Sequence, residues 1–378
     1  MKIAQVILVI LTIAKYESTH YNKGNKTERK CMKMMTISMQ GIMEDRENNK
    51  RRIKDVLVGE PAIVRDYASC FTDQRLRTEY RYLLTVKEFC KNISTIREDV
   101  DVNRPETFGN LRTRDINKYM ESIKVGKNGE EISPEFFNHK RAAIWNFFKY
   151  LVAEEYVTKN VVDNVGKLKS NKVHEYIYLG QNEDGDVTLE SIRDAIEEVH
   201  HKILTDKGRM SEWSRIRNIA IIDLFLAAGL RCHELIQLDT DSIVFGENGT
   251  SHLMVVGKGN KPEVVFFNDR AAESLKAWLS VRETLVDGNN KAVFVSRVKK
   301  RITEKCIGEI VKKYTGLTPH KLRATAGMIV YLMTKDIEQT AKFLRHSNIA
   351  TTRGNYVTAT RGQMISNSFD MAMLWGVA

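Results

Sequence analysis

The sequence predicts a mainly α-helical protein of two domains, the second of them interrupted by a small antiparallel sheet. At 378 residues the chain is too long for one ordinary hydrophobic core. Long amphipathic stretches outnumber short β-branched runs, and only five prolines break them. The run Gly166-Lys167-Leu168-Lys169-Ser170-Asn171-Lys172 is polar, basic and without apolar period, so it reads as a linker between two folded regions.

From the N-terminus, residues 1–58 form a basic segment ending in Lys50-Arg51-Arg52-Ile53-Lys54. It reads as a solvated, disordered tail or as an arm on a polyanionic backbone. Its first residues carry an apolar stretch, Ile3 to Ala14, about the length of a signal-peptide core. That stretch is short for a bilayer span, and no A-x-A-type site follows it. Two readings stay open: an accessory helix, or sequence upstream of a true start at Met32, Met34, Met35, Met39 or Met43.

Residues 59–165 read as a helical domain. Leu76, Tyr80, Leu83, Leu84 and Val86 fall largely on one helical face. Ser133-Pro134 starts a second amphipathic helix, whose stripe is Phe137, Ile144, Phe148 and Leu151. Lys140, Arg141 and Lys149 are read as its solvated face. The linker spans 166–187, and Asn182-Glu183-Asp184-Gly185-Asp186 within it reads as a turn, since its glycine spacing is wrong for an EF-hand. Residues 188–378 form the second domain. Ile216 to Ala228 is an apolar helix closed by Gly229. Leu253 to Val256 and Val264 to Phe267 form a hairpin around Gly257-Lys258-Gly259-Asn260-Lys261-Pro262, and Ala292 to Ser296 is a third strand-like run. Helices follow at about Pro319 to Met333 and Ile337 to Leu344.

A net charge of +11 and a pI near 9.2 favour a polyanionic partner, of which nucleic acid is the commonest. The five cysteines are scattered without a C-x-x-C pair, which points away from a disulfide framework or zinc site and toward a reducing interior. No Walker-type loop is present, so a nucleotide triphosphatase is not supported. Asp239 and Asp241 lack the acidic company of a metal-dependent nuclease and read as helix-end or turn residues.

Four short segments carry chemistry. In Thr318-Pro319-His320-Lys321-Leu322-Arg323 a capped helix start places His320 and Arg323 on one face of its first turn, where unpaired N–H groups and the dipole favour an anion. In Gly229-Leu230-Arg231-Cys232-His233-Glu234-Leu235, Arg231 opens a helix at a tight corner, with Glu234 placed to orient it. Lys258 stands at the hairpin tip. In Leu344-Arg345-His346-Ser347, a histidine follows a helix, and Tyr356 lies ten residues beyond it.

In this order, G-L-R-x-x-E-L, the hairpin lysine, H-x-x-R, L-x-H-S and then tyrosine resemble the tyrosine recombinase (phage integrase) family, including integrases of phages and conjugative transposons. The likeness runs from about Thr188 to Arg361. It implies a helical core-binding domain followed by an α-rich catalytic domain with a small antiparallel sheet. It also implies roles: Tyr356 attacks the scissile phosphate to give a 3′-phosphotyrosine, and Arg231 and Arg323 clamp the non-bridging oxygens. Lys258 protonates the leaving 5′-oxygen, His320 assists as acid or base, and His346 completes the clamp. No metal or cofactor is implied. The implied partner is double-stranded DNA bound by a homotetramer in the cytoplasm, with room for bending or directionality proteins and no membrane. The C-terminal apolar residues Ile365, Phe369, Met371, Met373, Leu374 and Trp375 suggest a helix that packs in cis or on a neighbouring subunit. Two departures stand out: Ala324 replaces a frequent histidine, and Arg345 replaces the usual glycine, adding charge beside the site. The gap from His346 to Tyr356 is one longer than in many relatives.

Overall fold

The computed structural model describes residues 40–72, 76–126, 129–169, 177–206, 208, 211–246, 250–257 and 262–346. The apolar N-terminal stretch and the C-terminal tail lie outside them. The described residues divide between a unit of residues 43–173 and a unit made of the rest.

The first unit is helical: α1 (Gln40–Leu57), α2 (Ala62–Ser69), α3 (Leu76–Ile96), a 3₁₀ turn (Pro105–Asn110), α4 (Thr113–Ser122) and α5 (Pro134–Ala153). Ser133 caps α5, its Oγ accepting from the Phe136 N–H at 3.2 Å, with Pro134 in the first turn. Phe137, Ile144, Phe147, Phe148 and Leu151 then meet Leu83, Val86, Phe89 and Ile93 of α3 in one core. Phe108 and Tyr119 complete it edge-on: Phe89 and Tyr119 lie 5.0 Å apart at 86°.

Three expectations for this unit are corrected. The basic segment 1–58 includes the ordered helix α1, because Ile53, Val56 and Leu57 share a face that joins the core. Leu84 points outward at 41% exposure, since Leu83 already occupies the buried stripe. Two of the three expected solvated cations of α5 are structural. Lys140, 8% exposed, pairs with Glu88, and Arg141 donates to the Val165 and Val162 carbonyls at 2.7 and 3.1 Å. The spacing explains Lys140: it stands three after Phe137 and four before Ile144, on the buried stripe itself. Lys149 is exposed.

In the second unit the order is α6 (Leu189–Thr205), α7 (Glu212–Ala228), α8 (Cys232–Gln237), β1 (Ile243–Val244), β2 (His252–Val256), β3 (Pro262–Phe266), α9 (Asp269–Glu283), α10 (Glu304–Thr315), α11 (Pro319–Thr334) and α12 (Ile337–Phe343). The sheet is antiparallel in the order β1-β2-β3, with Leu253 opposite both Ile243 and Val265. Leu253, Val255 and Val265 face a core built on α7, where Ile221, Leu224 and Phe225 are fully buried, and on Trp278 of α9. The third strand is therefore β1. Ala292–Val295 is buried but makes only isolated bridges, Asp239 to Ala292 and Val295 to Arg301, because its partners come from two separate segments.

The C-terminal part of the expected linker is packed instead of free. Tyr178, Leu179 and Val187 are buried, and the Leu179 N–H donates to Thr325 Oγ1 at 3.0 Å. Asn182 to Asp186 closes a turn through the Asn182 N–H to the Asp186 carbonyl at 3.0 Å, with Gly185 at φ 89°. Among the described residues no helix is long and apolar enough to cross a membrane.

Candidate active site

Three chain segments meet at one corner of the second unit. The first is the end of α7. Gly229 takes φ 52°, and a Cβ there would stand 2.8 Å from Phe343 Cε1 and 3.2 Å from Leu344 Cδ2. Only glycine permits both the left-handed turn and this approach of the α12 end. Arg231 follows as the N-cap of α8, and Glu234, three residues on, reaches back to it. Glu234 Oε2 accepts from the Arg231 backbone N–H at 2.7 Å and Oε1 from Arg231 Nη1 at 2.6 Å.

The second segment is the start of α11. Thr318 Oγ1 accepts from the Lys321 N–H at 3.4 Å, and Pro319 occupies the first turn. Arg323 points inward and is 3% exposed. Its guanidinium donates to the Gly229 and Leu344 carbonyls and lies 3.9 Å from Glu234 Oε2. His320 sits on the outer rim. Partial desolvation, then the fields of Arg323 and Arg231, hold its pKa below the ordinary imidazole value.

The third segment is the end of α12, which closes in a Schellman turn. The His346 N–H donates to the Ala341 carbonyl at 3.0 Å and the Arg345 N–H to that of Lys342 at 2.9 Å. This turn needs a left-handed residue, and Arg345 supplies it at φ 51°. Its side chain turns inward, 11% exposed, and meets Glu234 Oε2 at 2.6 Å. Arg231 Nη2 donates to the Arg345 carbonyl at 2.8 Å, so the two outer segments are tied through backbone as well. His346 is half-buried. Desolvation, followed by Arg323, Arg231, His320 and Arg345, lowers its pKa to about 4.

Glu234 is the hub, 2% exposed and facing three guanidiniums. Burial opposes its ionisation, but Arg345 and Arg231 outweigh that, and its pKa lies below the usual carboxylate value. The corner thus brings Arg231, Glu234, His320, Arg323 and His346 together. Lys258 and Tyr356 lie outside the described residues. Asp239 and Asp241 sit elsewhere, paired with Arg301 at 2.6 Å and Lys291 at 2.5 Å. Among the described residues no group of three His, Cys, Asp or Glu is placed to hold a metal ion. Sequence reasoning missed the carbonyls of Gly229 and Leu344 as arginine acceptors, and the inward course of Arg345. An arginine at the helix-end position that glycine usually fills was the available signal for the latter.

Residues 189–362 match the phage integrase family. Tyrosine recombinase XerC of Caldanaerobacter subterraneus is 29% identical over 265 residues, 68% of this chain and 66% of that protein. Tyrosine recombinase XerC of Haemophilus influenzae is 29% identical over 238 residues, 61% of this chain and 72% of its own length. Among solved structures, the XerH recombinase bound to a palindromic difH substrate superposes with TM-score 0.54 at 22% identity, covering 74% of this chain and 75% of that one. A lambda integrase dimer bound to a COC′ core site gives TM-score 0.52 at 14% identity, covering 78% and 76%. The fold is that of the tyrosine recombinases, mostly helical with a small antiparallel sheet.

Proposed function

We propose that this phage integrase family chain is a site-specific DNA recombinase that cleaves and rejoins duplex DNA through a 3′-phosphotyrosine at Tyr356, integrating or excising a mobile element. The observation that carries the reading is the convergence of Arg231 and Arg323 on one rigid corner beside His320 and His346. Two guanidiniums held in place before a phosphate arrives suit the charge that grows on its non-bridging oxygens during in-line attack. A phenol with a pKa near ~10 is a weak nucleophile at neutral pH, and such a cationic surround favours its ionised form in the transition state.

In this mechanism the Tyr356 oxygen bonds to phosphorus as the bond to the 5′-oxygen breaks, and Lys258 gives that oxygen its proton. His320 takes the tyrosine proton. Rejoining reverses each transfer, so the bond energy is kept in the phosphotyrosine and no nucleotide is consumed. Residues 59–165 act as the core-binding domain and residues 188–378 as the catalytic domain, clamping DNA as a homotetramer. The relatives named as recombinases, and the DNA-bound state of the structural neighbours, support double-stranded DNA as the partner.

The test is a suicide duplex nicked beside the cleavage position, taken from the ends of the element that carries the gene. A protein–DNA adduct without metal or ATP from the unaltered protein, and none from Tyr356→Phe, supports the reading. Tight binding with no adduct points instead to a non-catalytic DNA-binding protein.

A further inference from the structure

Arg345 stands where a Schellman turn calls for glycine, and its backbone is left-handed at φ 51°. A side chain in that conformation strains the backbone, so its presence calls for a compensating interaction. The structure supplies one. Arg345 Nη2 lies 2.6 Å from Glu234 Oε2, and Nε lies 3.4 Å from Glu263 Oε2 on β3. The same guanidinium donates to the Gly229 carbonyl at 3.3 Å. Its guanidinium is turned onto these protein acceptors.

We propose, resting on the recombinase reading above, that Arg345 is a positioning residue that keeps the Arg231–Arg323 pair cationic. Without Arg345, the buried Glu234 carboxylate offsets one of the two guanidiniums that meet the phosphate. With Arg345 in place, the three guanidiniums of the corner face two carboxylates, Glu234 and Glu263, and keep a formal surplus of one; without it the same carboxylates leave none. Glu234 then orients Arg231 without drawing it away from an incoming anion. Glu263, half-buried on β3, adds a longer charge contact, 3.4 Å from Arg345 Nε without a hydrogen bond.

The residue lends itself to a discriminating series because glycine suits its backbone. Arg345→Gly removes the charge and relieves the turn. Arg345→Gln removes the charge and keeps the strained backbone. Arg345→Lys keeps the charge in the same backbone. The readout is the single-turnover rate of adduct formation on the nicked duplex at saturating protein, with the Kd for an uncleaved duplex and the melting temperature measured alongside. The proposal expects Gly and Gln to slow adduct formation about tenfold or more, Lys to restore most of the rate, and Kd to shift less than threefold. Equal rates for Gly and the unaltered protein overturn it. So does a ranking that follows melting temperature instead of charge, with Lys as slow as Gln. If the unaltered protein forms no adduct, both the recombinase reading and this role fall; if it does and the series is flat, only this role falls.

Discussion

Replacing Glu234 with alanine tests the electrostatic construction of the corner. The carboxylate is fully enclosed and touches three guanidiniums, two of them themselves buried: Arg323 at 3% exposure and Arg345 with its side chain at 11%. Deletion leaves those cations facing one another without the carboxylate they share. Breaking a buried ion pair by removing one member costs roughly 3–5 kcal/mol. The Arg231 N–H also loses its acceptor at the start of α8, worth about 1 kcal/mol more. For a unit of this size, with melting temperature moving about 2–4 °C per kcal/mol, the expected fall is roughly 10–20 °C. Urea and thermal unfolding followed by circular dichroism measure it. The pH dependence adds a second readout. Because the folded pKa lies below the ordinary value of 4.5, the carboxylate's contribution is fully present above that pH and is lost as pH falls through the folded value. The gap between the unaltered protein and Glu234→Gln should therefore close in acid. An alanine variant within about 1 kcal/mol of the unaltered protein at pH 7 would refute the account of Glu234 as the hub.

Gly229→Ala forces a side chain into a left-handed position and against Phe343 and Leu344. We expect a loss of about 2–5 kcal/mol in urea unfolding, summing backbone and overpacking costs. Lys140→Met should leave stability within about 1 kcal/mol or raise it, since methionine fills the same stripe without a buried charge, and thermal melts decide. His346 should titrate near pH 4 by NMR in the free protein, against an ordinary 6.5. A depressed histidine pKa makes the folded state lose stability as pH falls from 6.5 toward 4, and His346→Gln should flatten that part of the urea-midpoint profile. Adding duplex DNA should raise the His346 pKa, because a phosphate offsets the guanidiniums that lower it; no upward shift on saturation would argue that DNA does not reach this corner.

Much of the corner was legible because its local signals are strong. An apolar helix ending in Gly229, a Thr318-Pro319 cap and a histidine after a helix each fix a short backbone geometry from side-chain chemistry alone. The hairpin was visible from its glycine-rich loop, and the structure moves its strands by only one or two residues. What stayed hidden depended on tertiary pairing. β1 is two residues long, too short to carry a period, and exists because Leu253 and His252 pair with it. Ala292 to Val295 has the composition of a strand but no continuous partner. Lys140 and Arg141 looked solvated because charge was weighed above helical position. Each found a specific acceptor, a carboxylate on α3 for one and two loop carbonyls for the other.

The corner also shows how a cationic site can be rigid without being neutralised. Full carboxylate partners for each guanidinium would fix them firmly but leave no net charge for a phosphate. Here most of the holding falls to carbonyls at two helix C-termini. Gly229 after α7 accepts from Arg323 and Arg345, and the end of α12 offers Leu344 to Arg323 and the Arg345 carbonyl to Arg231. A helix C-terminus carries roughly half a negative charge spread over its last carbonyls, enough to orient a cation but not to cancel it. Glu234, shared by all three guanidiniums, supplies the remaining direction, with Glu263 beside Arg345. The geometry an anion needs is therefore in place before it binds, and little reorganisation is left for the moment when charge builds on phosphorus. The same reasoning explains why Gly229 and the turn at Arg345 matter beyond their own torsions: they aim carbonyl ends at guanidiniums, and shifting either would turn a preorganised site into one that each incoming phosphate must assemble.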